Sequence, residues 1–167
     1  MSYRIGVGFD VHQLEEGNSL ILGGIKINHI KGTVAHSDGD VVIHAICDAM
    51  LGSLCLGDIG LLFPDNDSRY KDIDSKFLFI KVLEEVYNKG YKVVNIDVSL
   101  VLEKPKIQSH VFKMRKKISE YSANIHKNIK KISHNDISIK ATTNEKIGYI
   151  GRQEGVACHA VVLLHKI

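Results

Sequence analysis

The segment from Asn95 to Leu102 constrains this chain most, because Ile96, Val98, Leu100 and Leu102 alternate there with Asn95, Asp97 and Ser99 until Pro105 closes the run. Successive side chains of a strand point to opposite faces, so this strand has one apolar face and one wet face. The apolar face needs cover, and three segments with helical spacing supply it: Val41 to Leu54, Asp74 to Lys89 with Gly90 as its stop, and Ile107 to Tyr121. Tyr3 to Val11, Leu20 to Ile27 broken at Gly23-Gly24, Ile137 to Ala141 and Val156 to Leu164 read as further strands. The order of strand, helices, strand, helix, strand, strand predicts an α+β fold: a single-domain mixed β-sheet over residues 1–167 with helices on one face.

Composition narrows the function classes. At 167 residues, 44% hydrophobic and 25% charged, the chain is of globular rather than disordered or fibrous type. Its longest apolar runs, such as Ala160 to Leu164, fall far short of the roughly 20 residues of a membrane helix, so no membrane partner is expected. Met1 to Ile5 lacks the basic and apolar segments of a secretory signal. Cys47, Cys55 and Cys158 have no paired spacing and read as buried thiols in a reducing compartment. The net charge is +3, and most of the excess lies between Lys113 and Lys131 without interleaved aromatics. That stretch reads as a solvated helix face, and no nucleic-acid partner is expected.

Several residues could carry chemistry. Asp10 and His12, two apart on the first strand, share a face and can offer two metal ligands. Asp40, His44 and Asp48 lie four apart on one stripe of the first helix, which could be a solvated face, but His44 is also a third candidate ligand whose tautomer the flanking carboxylates can fix. Two histidines and one carboxylate leave the fourth position of a tetrahedral zinc ion open for a ligand. Ser37-Asp38-Gly39-Asp40 resembles a capping box, and His36-Ser37 beside it reads as an anion site at a helix N-terminus. The long polar loop from Gly57 to Asp67 places Asp58 where it could accept hydrogen bonds from a ligand diol. Thr142, Thr143, Asn144 and Glu145, followed by Arg152, offer hydroxyls, an acid and a cation suited to a phosphate with a hard metal ion, although Arg152 could instead pair with Glu154.

Taken together, Gly8-Phe9-Asp10-Val11-His12, Ala35 to Val41, His44-Ala45, Asp48-Ala49, Leu56 to Gly60, Phe63-Pro64-Asp65, Lys140 to Thr143 with Glu145-Lys146, and Gly151-Arg152 with Glu154-Gly155 closely resemble the 2-C-methyl-D-erythritol 2,4-cyclodiphosphate synthase family, nearly end to end and in order. The resemblance implies a lyase of the non-mevalonate isoprenoid pathway that converts 4-diphosphocytidyl-2-C-methyl-D-erythritol 2-phosphate to the cyclic diphosphate and CMP. It implies zinc on Asp10, His12 and His44, and magnesium or manganese on Glu145. His36 and Thr143 are implied as catalytic. Ser37, Asp58, Ile59, Gly60, Phe63, Pro64, Asp65, Asn66, Asp67, Tyr149 and Arg152 are implied to bind substrate, with Asp58 on the erythritol rather than on a ribose. Leu102, Glu103, Lys104, Pro105, Lys106, Ile107, Gln108 and Thr142 are implied to form the cytidine pocket. The family is a homotrimer with active sites between subunits, and His159 falls in a stretch facing its axis. A bacterial cytoplasm, or a plastid-type organelle after removal of a targeting segment, is the expected location. Two other readings are a zinc phosphodiesterase in which water attacks, and a non-catalytic trimeric nucleotide-binding module.

Overall fold

Tyr3–Glu16 (β1) and Gly155–Lys166 (β7) pair antiparallel along almost their whole length, with Gly8 opposite Ala160 and Asp10 opposite Cys158. These two long strands are the centre of the computed structural model, which describes residues 2–64, 73–123, 125–126 and 128–167. Lys31–Val34 (β4) pairs with β1 on one side, while Tyr91–Val101 (β5) pairs with β7 and then, in parallel, with Ile137–Thr142 (β6). The result is a mixed five-stranded sheet in the order β4-β1-β7-β5-β6. Leu20–Leu22 (β2) and Ile25–Ile27 (β3) form a separate hairpin. Gly23 and Gly24 turn it with φ of 58° and 76°, a region that side chains with a Cβ seldom enter.

Helix Val41–Ser53 (α1) lies across β1 and β7, and helix Ser75–Asn88 (α3) packs on α1 and reaches β5. Helix Val111–Tyr121 (α4), preceded by a 3₁₀ turn at Gln108–His110, covers β6. Ile43, Ile46, Met50, Phe79, Leu83, Ile96 and Leu100 are fully buried between these helices and the sheet. Each such side chain contributes about 1.5–3 kcal/mol by leaving water. On the opposite face of β1, Tyr3, Ile5, Val7, Phe9 and Val11 are exposed, Ile5 and Val7 each at 67%. The mixed sheet with helices on one side is therefore as the alternation predicts, and its other side is apolar along β1 rather than wet.

Local details differ from the sequence reading. β1 runs five residues past Val11, because β4, too short to stand out as a run, pairs with its end. The polar loop contains a one-turn helix, Ile59–Leu62 (α2), and the 142–155 segment contains another, Gly148–Gly151 (α5). Helix α1 is capped by Asp40 rather than by Ser37: the Asp40 carboxylate accepts from Val42 and Ile43 N–H, while Ser37 Oγ accepts from Gly39 N–H. Cys47 and Cys158 are buried as expected, but Cys55 is exposed. The basic side of α4 is a solvated face, with Met114, Ile118 and Tyr121 turned inward.

Candidate metal centre and active site

Gly6, Gly8, Asp10 and His12 share the face of β1 on which α1 lies, and the glycines set how close the helix comes. A Cβ on Gly8 would stand 1.9 Å from the Ala45 carbonyl oxygen, and one on Gly6 1.9 Å from that of Ala49. Backbone therefore packs on backbone, which carries His44, the neighbour of Ala45, over the next two residues of that strand face. His44 Nδ1 is 3.0 Å from Asp10 Oδ2, His12 Nε2 is 3.1 Å from the same oxygen, and the two nitrogens are 3.1 Å apart. Three lone-pair donors thus form a nearly equilateral triangle. Ligands of a tetrahedral zinc ion at 2.0–2.1 Å stand about 3.3 Å apart, so this set fits a divalent metal. It is the group of acidic, histidine and cysteine side chains able to hold a metal among the described residues.

The electrostatics agree with that fit. Burial works against charge on Asp10, yet hydrogen bonds from His12 and His44 hold its carboxyl well below the usual carboxylate range. Burial likewise opposes charge on His44, which is 5% exposed, but the Asp10 carboxylate raises its proton affinity above the ordinary value. Without a metal, a proton shared along the Asp10–His44 edge meets the same demand for positive charge.

The triangle opens into a cavity of about 350 Å³ lined also by His36, Ser37, Ile59, Gly60, Phe63 and Leu78. Asp48 shapes its rim by accepting the Ile59 N–H at 2.9 Å, and Asp58 caps α2 through Leu61 N–H. Pro64 follows Phe63 at the exposed edge of the described chain, and Asp65, Asn66 and Asp67 lie outside the described residues. The carboxylates expected to fix the His44 tautomer do not touch its ring. Asp40 is spent on four backbone amides, of Gly23, Gly24, Val42 and Ile43, and Asp48 on Ile59. The stripe is buried or half-buried rather than solvated, and the amides at the start of α1 are already neutralised by Asp40, so that helix end is not a free anion site.

Residues 102–108 and 142–145 gather at the far edge of the sheet, where β5 and β6 end side by side. Leu102 N–H donates to the Thr142 carbonyl, and Glu103 Oε1 accepts from the backbone N–H groups of Asn144 and Lys146, tying the 102–108 loop to the 142–146 turn. Leu102 and Ile107 are buried anchors, while Lys104, Lys106 and Gln108 are exposed, and Pro105 is half-buried. Thr143 Oγ1 donates to Glu145 Oε1 at 3.1 Å on an exposed turn. Tyr149, 44% exposed, stands apart from them beside Gly155 at the start of β7, next to the β1 strand at His12, and Arg152 makes a two-pronged contact with Glu154, at 2.9 Å for each prong. Two strands, β7 and β5, separate the Thr142 end of β6 from β1, roughly 14 Å at the usual strand spacing. One chain does not bring the two groups together.

The model of the YgbB family matches residues 3–165. This chain belongs to the YgbB family. The 2-C-methyl-D-erythritol 2,4-cyclodiphosphate synthase of Bacteroides fragilis is 47% identical over 167 residues, all of both chains, and that of Chloroherpeton thalassium is 52% identical over 98% of this chain and 99% of its own. Among solved structures, the IspF of Plasmodium falciparum, a CDP complex, superposes with a TM-score of 0.83 at 34% identity, covering 99% of this chain and 97% of that one. The bifunctional IspDF of Campylobacter jejuni superposes at 0.91 with 37% identity, and there the chain spans 43% of the longer protein. YgbB-family relatives are synthases, and this chain is an enzyme of the same kind. Among its described residues no helix is long and apolar enough to cross a membrane.

Sequence reasoning missed Ser75 and Leu78, which come to the YgbB-family site from the start of α3. Ser75 Oγ is 2.9 Å from His44 Nε2 and only 1% exposed. The available signal was a serine directly after the Asp74 cap, which reads as an ordinary helix start.

Proposed function

We propose that Asp10, His12 and His44 hold a zinc ion at which this synthase closes its substrate, 4-diphosphocytidyl-2-C-methyl-D-erythritol 2-phosphate, into a ring. An oxygen of the 2-phosphate bonds to the β-phosphorus, the bond from that phosphorus to the bridging oxygen breaks, and CMP leaves with the electron pair. The phosphate nucleophile is already ionised, so the chain's work is positioning. Holding such groups in line is worth up to roughly 7–11 kcal/mol. Asp58, Ile59 and Gly60 hold the erythritol, with Phe63 and Pro64 as the wall and Asp65, Asn66 and Asp67 beside it. His36 and Ser37 donate to phosphate oxygens, and Thr143 to the oxygen that gains charge. Tyr149 and Arg152 complete the substrate contacts. Zinc, and a magnesium or manganese ion on Glu145, supply Lewis-acid neutralisation of the phosphates when bound. Glu145 suits that role because its Oε2 has no partner among the described residues.

Cytidine sits against Leu102, Glu103, Lys104, Pro105, Lys106, Ile107, Gln108 and Thr142, a reading supported by the CDP carried by the Plasmodium falciparum relative. Since this pocket and the metal triangle stand apart in one chain, the site is completed by a neighbouring copy in a homotrimer. The exposed apolar face of β1, with His159 beside Phe9 at 4.7 Å, supports association through the helix-free side.

The triangle of donors at 3.0–3.1 Å carries the reading. Incubating the protein with the substrate and resolving the products tests it: cyclic diphosphate and CMP are expected, with about one zinc per chain by elemental analysis. An open-chain diphosphate would mean that water attacks, and no turnover with retained CDP binding would mean a binding module.

A further inference from the structure

We propose that Ser75 and Asp38 are positioning residues that lock the His44 ring as its Nε2–H tautomer, so that the Nδ1 lone pair faces the point shared with Asp10 and His12. The inference deepens the metal-centre reading above and rests on it.

One chain of contacts fixes where the protons lie. Asp38 is a carboxylate and can only accept. It accepts twice from Ser75: its Oδ2 takes the backbone N–H at 3.1 Å, and its Oδ1 takes the hydroxyl. With its one proton given to Asp38, the Ser75 oxygen can only accept from its other neighbour, His44 Nε2, 2.9 Å away. Nε2 must therefore carry the hydrogen. Ser37 Oγ, 3.3 Å from the same nitrogen, already accepts from Gly39 N–H and is a second, longer acceptor for it. A neutral ring protonated on Nε2 has a bare lone pair on Nδ1, and that lone pair looks at a carboxylate oxygen 3.0 Å away. Two acceptors held face to face at hydrogen-bond distance are unfavourable unless a cation lies between them.

The relay is built into the fold rather than onto its surface. Asp38 N–H donates to the Ile73 carbonyl at 3.2 Å, so the segment before α1 and the start of α3 are stitched together at Ile73 as well as at Ser75. Ser75 is 1% exposed, and water has little access to offer its hydroxyl an alternative acceptor. Partners of this sort orient metal-binding imidazoles, and losing one typically lowers metal affinity about 10–100-fold.

The test reads the ring directly. Long-range ¹H–¹⁵N spectra of the metal-free full chain at pH 9 should assign the neutral His44 ring to the Nε2–H form in the wild type. In Asp38→Asn the amide can donate to Ser75 Oγ and free the hydroxyl to donate in turn, so the Nδ1–H form should appear. Chelator competition should find zinc affinity about 10–100-fold lower in Ser75→Ala and Asp38→Asn, and largely restored in Ser75→Thr, which keeps the hydroxyl. An Nδ1–H ring in the wild type, or zinc affinity within about twofold of wild type in both Ser75→Ala and Asp38→Asn, would overturn the relay. If the wild type takes up no zinc, the metal reading fails separately, and the wild-type tautomer still decides this one.

Discussion

The two halves of the site are built in opposite ways. The metal half sits where β1 meets α1, on regular elements pressed together at two glycines, with a buried histidine and every nearby carboxylate engaged. The half proposed for cytidine and a second cation lies on the 102–108 loop and the exposed turn after β6, held by a few backbone contacts to Glu103 and by two buried anchors. The first is pre-organised within one chain. The second presents its groups to solvent and, in the assembly proposed, meets a neighbouring copy. A metal centre tolerates little displacement, so rigidity belongs there, whereas a half-site that must meet a neighbour is best presented at an edge.

The largest expected effect joins the halves. His44→Ala removes a proposed zinc ligand and Glu145→Ala a proposed ligand of a second cation, and each should lower activity by about 10³-fold or more alone. Co-expressed, the two chains should recover about a quarter of wild-type activity, the share of random interfaces in which both halves are intact. No recovery would break the comparison by placing both halves in one chain. Next, Glu145→Gln should lower kcat about 10²-fold while thermal unfolding stays within about 0.5 kcal/mol of wild type, since the residue is exposed. Gly8→Ala should do the reverse. Its Cβ has no space against Ala45, so stability should fall by about 1–3 kcal/mol and zinc content with it, measured by calorimetry and elemental analysis.

What could be read in the sequence follows the same division. The α1 periodicity and the Asp10-His12 spacing gave both ligating elements, because periods of 3.6 and 2 are set by backbone geometry alone. Their meeting was not legible in physical terms. Nothing local says that Gly6 and Gly8 are gaps for a helix backbone rather than turns, and Ser75 reaches His44 from 31 residues away. The four-residue spacing of Asp40 and Asp48 from His44 correctly put them on one stripe, yet a stripe does not say where side chains bond: Asp40 turned to the β2–β3 hairpin and Asp48 to α2. Short pieces such as β4 and α2 are too brief for periodicity to reveal. For Asp65, Asn66 and Asp67, which lie outside the described residues, the sequence remains the whole of the argument.

The smallest predicted effect concerns pH. In metal-free protein the His44 pKa lies above its unfolded value, so its contribution to stability is fully present below pH 6.5 and is lost as pH rises through the folded pKa. Metal-free protein should therefore unfold at a slightly lower temperature at pH 9 than at pH 6. Zinc-loaded protein should show the opposite trend, because protons compete with the metal for the same nitrogen. Replacing His44 with Gln should flatten both trends.

Anomalous diffraction at the zinc edge, from crystals of the full chain grown with zinc, is the most direct check on the central claim. One strong peak per chain is expected, bonded to Asp10 Oδ2, His12 Nε2 and His44 Nδ1 and facing the cavity that His36 and Gly60 line. Well-ordered side chains at these positions with no peak between them, or zinc bound through His44 Nε2, would contradict it.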